Sequence, residues 1–308
     1  MRDDFIRPFQ LDKAGLRGRL VRLGGTVNEI LERHRYPPPV SGMLGQAVAL
    51  SAILAGALKF DGVFTLQTKG NGPVGTLVAD FASPGKIRGY AQYDKKRIAE
   101  LMEKDAASRV TVPQVLGAGY VAFTVDQGED MERYQGIVEL QGSSLAECAH
   151  QYFRESEQIQ TAIRVACQQV GDDDRKPIWR AGAIMIQRLP IGDPAMLARG
   201  AEPEGDDIAE DDWRRAVALM ASVKDSELTA EDLTADQLLF RLFHEEEVRA
   251  FDLTTLEFGC RCSADRAEGV LGSLAKSELE ELAVDGKLSM TCEFCNSSYV
   301  YDLTQFNI

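Results

Sequence analysis

Cys260-Arg261-Cys262 and, after 29 intervening residues, Cys292-Glu293-Phe294-Cys295 decide how the end of this chain must be built. A pair of thiolates two or three positions apart can grip one cation, and two such pairs complete the closed tetrahedral four-sulfur site of structural Zn2+. The alternative is four ordinary buried thiols, because free Cys packs as a small hydrophobe. The paired spacing favours the metal. Asn296 follows the second pair, where a tight turn needs a residue that tolerates the left-handed region. A module running from Phe258 to the C-terminus has about fifty residues, near the size at which a core alone is marginal and a metal commonly helps.

Outward from that module, 308 residues suffice for one large domain or two unequal ones, and 44% hydrophobic residues can bury a core. The net charge of -14 opposes nucleic acid as a partner, since phosphate neutralisation normally dominates that affinity. Met1-Arg2-Asp3-Asp4 carries charge and no signal-peptide core. Gly42 to Leu58 is uncharged but short for a membrane span, and its Ala, Gly, Gln46 and Ser51 suit a buried helix instead. The expectation is a cytoplasmic protein without membrane contact. In that compartment, closely spaced cysteines mean metal binding or redox chemistry before static disulfides.

The remainder reads as α+β. Arg7 to Arg22 is mixed and charged, and its form stays undecided. Val27 to Tyr36 suits a helix ended by Pro37-Pro38-Pro39. A second, Ala-rich helix is expected from Ser41 to Leu58. Strands follow at Phe64 to Thr68, Val74 to Phe81, Ile87 to Tyr93, Val121 to Val125 and Ile137 to Leu140, with turns at Gly70 to Pro73, Ser83 to Gly85 and Asp126 to Asp130. Ser144 and Glu147 make a capping box before Leu145, Cys148, Ala149, Tyr152 and Phe153, which share one helical face. Ile163, Val165 and Cys167 alternate with Arg164, Ala166 and Gln168 as a strand, Gly171 to Asp174 is a loop, and Ile178 to Leu189 is another strand. Gly192 to Asp212 is acidic and rich in Gly and Pro, the pattern of a mobile linker. Helices are expected at Trp213 to Val223 and Thr234 to Glu247, the latter with an apolar face of Leu238, Leu239, Leu242 and Phe243. In the last module Ser263 caps a helix through Leu274, Ser277 and Glu280 form a second capping box, Asp285-Gly286 turns, and Leu288, Met290 and Tyr299 to Leu303 supply strands. The division is a 1–190 core, a 191–257 acidic and helical linker, and a 258–308 zinc-binding module.

Other chemistry is weak. His244-Glu245-Glu246-Glu247-Val248 lacks the second histidine of a zinc-protease helix, so it reads as a solvated face. His34, His150 and His244 have no nucleophile motif beside them. Gly117-Ala118-Gly119 lacks the third glycine of a dinucleotide fingerprint, and Gly70 to Gly75 lacks the ending of a phosphate loop. Cys148 and Cys167 fall on apolar faces and read as core thiols. The cluster at Cys260, Cys262, Cys292 and Cys295 remains. Metal-bound cysteines are thiolates, the form that peroxide oxidises, and each has a neighbour able to resolve it as a disulfide. A structural zinc site contributes roughly 10–16 kcal/mol of apparent binding energy, against about 3–5 kcal/mol from a small core. Oxidation should therefore unfold the module, and a redox switch is as consistent with these residues as a static zinc fold.

The chain resembles the heat shock protein 33 family of redox-regulated chaperones along nearly its whole length. The resemblance is carried by Leu58 to Leu66 with Gly72-Pro73-Val74, Arg88-Gly89-Tyr90-Ala91, Tyr134-Gln135-Gly136-Ile137-Val138, Tyr152-Phe153 with Ser156-Glu157-Gln158, Arg241-Leu242-Phe243-His244-Glu245-Glu246, and the two cysteine pairs with Ser263. It implies a non-enzymatic, ATP-independent holdase. Cys260, Cys262, Cys292 and Cys295 would hold one zinc in the reduced, inactive form. Oxidation would join Cys260 to Cys262 and Cys292 to Cys295, release zinc and unfold the module and linker. Unfolding client proteins would then bind, and the active form would be a homodimer. The acidic stretch is longer than the family's usual linker. Two other classes stay in view, a thiol-disulfide oxidoreductase and a zinc-ribbon nucleic-acid adaptor.

Overall fold

The structure, a computed structural model, describes residues 3–104, 111–128, 131–171, 177–188 and 206–306. It separates into two units, Met1–Phe258 and Gly259–Ile308.

The undecided stretch near the N-terminus is a β-hairpin, β1 (Phe5–Leu11) and β2 (Leu16–Leu23), with Leu11 opposite Leu16. Its period of two was blurred because both faces are covered. Leu20 faces one layer of the core and Val21 and Leu23 the other. Gly18 is required by a close approach: a Cβ there would lie 2.1 Å from the Phe9 ring.

Five further strands follow as expected in place, β3 (Val63–Gly70), β4 (Val74–Ala82), β5 (Lys86–Tyr93), β6 (Gly119–Asp126) and β7 (Tyr134–Glu139). The strands β8 (Thr161–Val170) and β9 (Ile178–Arg188) then pair with each other. Three short strands close the unit, β10 (Val248–Ala250), β11 (Thr254–Thr255) and β12 (Glu257–Phe258). One sheet has the order β10-β1-β2-β9-β8 with β11 also on β1, and the other β12-β5-β4-β3-β6-β7. Within them only β12 with β5 is parallel, so the class is α+β as the mixed pattern implied.

The helix Pro38–Ala55 lies between the two sheets, in contact with β3, β4 and β5 of one and β2, β8 and β9 of the other. That explains an apolar surface on all sides, which a helix carries when nothing around it is water. It is long and apolar enough to cross a membrane by composition, yet 83% of it is buried inside the protein. The proline run was expected to end the preceding helix. That helix, Gly25–Glu32, stops earlier, and Pro38 and Pro39 instead begin the central helix. First-turn N–H groups have no intrahelical partner, so proline loses nothing there.

Cys148 is buried in the core of this unit, and Cys167 is half-buried against it. Burial pushes the Cys148 thiol up to about 11, and its sulfur donates to the Gln141 carbonyl at 3.3 Å. The Cys167 sulfur packs on the central helix, where a Cβ on Gly45 would meet it at 2.3 Å. Gly45→Ala should therefore destabilise by about 1–3 kcal/mol through overpacking, although Ala is the better helix former. Denaturant unfolding of Gly45→Ala, Cys167→Ala and the double variant checks this. The double variant should recover most of the loss, and additive losses would contradict the contact.

The outer face of the first sheet carries a second core. Phe5, Phe9, Leu11, Leu16, Leu20, Ile184 and Ile186 meet Met220, Val223, Leu228, Leu238, Leu239, Leu242 and Phe243. The covering segment begins with the helix Asp206–Ala221. The expectation of a mobile stretch to Asp212 needs correction over its last part: residues 206–212 are helical, and 192–205 lie outside the described residues. Acidic residues are favourable at a helix N-terminus, where the macrodipole is positive. The expected Thr234 to Glu247 helix is shorter, Ala235–Phe243, capped by Thr234 with Gln237 and followed by a 3-10 turn over His244–Glu246. Glu246 is buried and takes two hydrogen bonds from Arg215, at 2.6 and 3.0 Å, which hold its carboxyl below the usual range. Over its described residues, the segment assigned to the linker is thus part of the first unit.

A candidate metal centre in the C-terminal unit

The second unit has a small core. Leu271, Leu279 and Leu288 are its buried cluster, with Leu274, Met290, Tyr301 and Phe306 packed around it. Two helices, Ala264–Gly272 and Lys276–Leu282, precede a hairpin of β13 (Lys287–Thr291) and β14 (Ser298–Asp302). Ser263 caps the first helix, its Oγ accepting the Arg266 N–H at 3.2 Å. The second capping box is displaced from its expected position. Ala275 is the N-cap, its N–H bonded to Glu278 at 2.8 Å, and Ser277 lies inside the first turn. The residues Asp285 and Gly286 both take positive φ, 52° and 73°, as the expected turn requires.

The sulfurs are positioned by two short backbone devices. Cys260 and Cys262 precede the cap at Ser263, so the helix start fixes their loop. Cys292 and Cys295 occupy the turn between β13 and β14. There the Cys292 N–H bonds the Ser297 carbonyl at 2.9 Å, and the Asn296 N–H bonds the Cys292 carbonyl at 2.8 Å. Asn296 has φ of 58°, the left-handed conformation its position called for.

These devices bring all four sulfurs within 4.8 Å of one another. The Cys260 sulfur is 3.3 Å from Cys262 and 3.7 Å from Cys292, and the Cys262 sulfur is 3.3 Å from Cys295. A disulfide needs about 2.05 Å, so none of the four is joined to another. Four sulfurs about 2.3 Å from one zinc stand about 3.8 Å apart in a regular tetrahedron, so the donor set fits that ion with a small expansion. Electrostatics point the same way. Burial works against the Cys295 thiolate, but hydrogen bonds from Ser297, Cys262 and Cys260 outweigh it and bring this thiol down to about 6. Cys262 is pushed up to about 12, first by burial and then by its sulfur neighbours, against an opposing hydrogen bond from Tyr299. One thiolate forms readily and its negative charge resists the next. A cation reverses that order, because it is the charge that lets the other sulfurs deprotonate.

The Tyr299 hydroxyl donates to the Cys262 sulfur at 3.1 Å. This contact was not evident in the sequence, where Tyr299 reads only as a strand residue. Among the described residues no other group of His, Cys, Asp or Glu gathers in this way. His150 is used elsewhere, its Nε2 accepting the Ile163 N–H at 2.6 Å, and burial holds its pKa down. Gly117 is a turn residue with φ of 69°, as expected.

Comparison with known proteins agrees along nearly the whole chain. The family model described as Hsp33 protein matches residues 4–302. The 33 kDa chaperonin of Caulobacter vibrioides is 40% identical over 301 residues, 97% of this chain and 95% of that protein. The 33 kDa chaperonin of Shewanella loihica is 35% identical, over 98% of this chain and 94% of its own. A crystal structure of the 33 kDa chaperonin (heat shock protein 33 homolog) of Thermotoga maritima superposes with a TM-score of 0.78, covering 99% of this chain and 97% of that one. At 22% identity that likeness speaks for the fold. Sequence, fold and the four-cysteine cluster converge, and the chain belongs to the Hsp33 protein family.

Proposed function

We propose that this protein is a redox-regulated holdase chaperone that works without ATP, silent when reduced and active when its C-terminal cysteines are oxidised. The observation that carries this reading is the set of four sulfurs, joined by no disulfide and 3.3–3.7 Å apart along the chain of contacts, in a unit whose own core is small. Cys260, Cys262, Cys292 and Cys295 would hold one zinc ion, which supplies charge balance and a fixed tetrahedron. In this reading 1–190 is the core, 191–257 the linker and 258–308 the switch.

Peroxide takes two electrons from each pair of thiolates and, with two protons from solvent, leaves as water while one sulfur–sulfur bond forms per peroxide. The expected pairs are Cys260 with Cys262 and Cys292 with Cys295, an assignment that rests on the family. Distance alone does not select it, since Cys262 is 3.3 Å from both Cys260 and Cys295. Within-motif disulfides close very short loops, which restrain an unfolded chain little. With its ligands consumed the unit would lose its main source of stability and unfold. Loss of the linker would then uncover the apolar face built around Phe9, Leu20 and Ile184, and exposed patches of that kind bind unfolding proteins. The active form would be a homodimer in the cytoplasm.

The decisive comparison is reduced against peroxide-treated protein with a heat-unfolding client and no ATP. Oxidised protein should suppress aggregation at near-stoichiometric ratios and reduced protein should not. Parallel assays of insulin reduction and DNA binding should stay at background. Catalytic turnover of insulin disulfides would favour the oxidoreductase reading, which the hairpin-turn location of Cys292 and Cys295 opposes. Equal suppression by both forms would contradict redox control.

A further inference from the structure

Beyond the C-terminal end of the central helix, the two sheets of the first unit enclose a cavity of about 240 Å3 that the metal switch does not use. Leu54, Phe64, Phe123, Phe153 and Ile159 give it apolar walls. The rings of Phe64, Phe123 and Tyr152 touch in turn, with centroids 6.4 and 5.0 Å apart. Polar groups from several elements are set into those walls. Arg17 on β2 and Gln187 on β9 are cross-strand partners, so their side chains leave the same face of the sheet side by side. Gln187 is 1% exposed. Its Nε2 donates to the Thr161 hydroxyl at 3.1 Å, and that hydroxyl donates in turn to the Ile159 carbonyl at 3.2 Å. The chain of bonds settles which end of the amide is which, and it leaves Gln187 Oε1 as a buried acceptor without a partner. The Arg17 Nε–H is likewise buried without a partner. Glu157, also on the lining, accepts from the Tyr134 hydroxyl at 2.7 Å and from the Tyr152 hydroxyl. It ends a π-helical turn, Phe153–Glu157, and single turns of that kind recur at functional sites.

A buried donor or acceptor left unpaired is destabilising, and each one in a native fold needs an explanation. An unpaired donor beside an unpaired acceptor, both from residues that line one cavity, has a simple one. We infer that this cavity binds a small monocarboxylic acid with a hydrogen-bond donor on the carbon next to the carboxylate, an α-hydroxy or α-amino acid, whose apolar side chain is about the size of a benzyl group. The carboxylate is the acceptor that suits the Arg17 guanidinium, and the adjoining O–H or N–H is the donor that Gln187 Oε1 lacks. Charge limits the ligand to one acidic group. Among the described lining residues Arg17 is the cation and Glu157 the anion. Glu157 is already taken up by two tyrosines, and a second acidic group on the ligand would meet it. Size agrees. An apolar cavity of about 150 Å3 takes benzene, so one of about 240 Å3 takes on the order of ten non-hydrogen atoms. Tyr134, Tyr152, Phe153 and Glu157 belong to two of the stretches that carry the family resemblance, and neither stretch has a part in the cysteine chemistry. The inference stands apart from the proposed holdase function, since it needs neither oxidation nor a client.

The test is calorimetry on the reduced full chain with four probes of one skeleton. Phenyllactate and phenylalanine carry both groups, phenylpropionate lacks the donor, and phenylethanol lacks the carboxylate. The parent protein should bind phenyllactate, phenylalanine or both at one site per chain, at least about tenfold more tightly than either incomplete probe, because a site built to hydrogen-bond a group rejects the analogue without it. Which of the two binds tells whether the donor is a hydroxyl or an ammonium group. Gln187→Met replaces the unpaired amide with an apolar chain of similar length. It should weaken the complete probes by about tenfold without weakening phenylpropionate. Arg17→Met should weaken them at least as much and leave phenylethanol unchanged. Ala57→Leu fills the cavity from its lining and should abolish binding of all four. Amide exchange of β2, β6 and β9 shows whether each variant keeps its fold, and the four-probe comparison on the parent stands even where a variant does not. Equal affinity for all four probes would overturn the inference, leaving a plain apolar cavity. No saturable binding to the parent at millimolar concentrations would overturn it as well, leaving the two unpaired atoms to water. Undiminished binding in folded Ala57→Leu would put the ligand elsewhere and also sink it.

Discussion

Cys292→Ser protein is expected to lose tight zinc binding, and its C-terminal unit is expected to unfold without any oxidant. Three sulfurs leave one position open to water, and a serine hydroxyl is a poor replacement for thiolate on a borderline-soft ion. A four-sulfur zinc site is worth roughly 10–16 kcal/mol of apparent binding energy, whereas a core the size of Leu271, Leu279 and Leu288 supplies about 3–5 kcal/mol at best. The metal term dominates, so weakening it should remove the fold of residues 259–306 and leave the sheets of the first unit intact. Metal analysis and amide exchange of the full chain measure both parts. X-ray absorption of the reduced parent should give four sulfurs and one zinc per chain. Nitrogen or oxygen in the first shell of the parent would contradict the site, as would native exchange protection of residues 259–306 in zinc-free Cys292→Ser.

Phe243→Ser should switch on reduced, zinc-loaded protein in part, although it alters no cysteine. Phe243 is fully buried and its ring stacks on Phe9, with centroids 5.8 Å apart. Truncating a buried aromatic costs about 3–5 kcal/mol, and leaving a hydroxyl in that pocket adds to the loss. The loss falls on the docking of Ala235–Phe243 onto the sheet, because the other side of the contact is anchored in strands. Leu239→Ser should act in the same direction with a smaller effect. The checks are faster amide exchange over residues 235–243 and suppression of client aggregation without peroxide. If exchange rises and the protein stays silent, covering by the linker is not what silences it, and the switch lies within the C-terminal unit.

Much of this was legible in residue order. The cysteine spacing pointed to a four-sulfur site, and Asn296 to the turn that presents two of its members. The strands β3 to β7 could be read because each has one polar face or a marked turn beside it. The hairpin of β1 and β2 could not, because Arg17, Arg19 and Arg22 alternate with apolar residues in a sheet covered on both faces. Arg22, at the end of the undecided stretch, is bonded to carbonyls more than two hundred residues away. In β8, the alternation of Arg164 and Gln168 with apolar residues indicated a strand but not what covers that face. They meet the covering segment, at Asp225 and Thr229. No local pattern reveals a partner that distant. The prolines misled because the same ring that ends one helix is at ease in the first turn of the next. Tyr299 illustrates a further limit: a period-two strand gives its side but not that its hydroxyl reaches a sulfur.

The most direct measurement is a stepwise peroxide titration of reduced, zinc-loaded protein. Zinc release, amide exchange of residues 206–250 and suppression of client aggregation are followed in the same samples. The three should rise together, reaching completion at one zinc released and two disulfides formed per chain. Full activity with zinc still bound, or complete zinc release with the linker amides still protected and clients still aggregating, would contradict the coupling of sulfur oxidation to chaperone exposure.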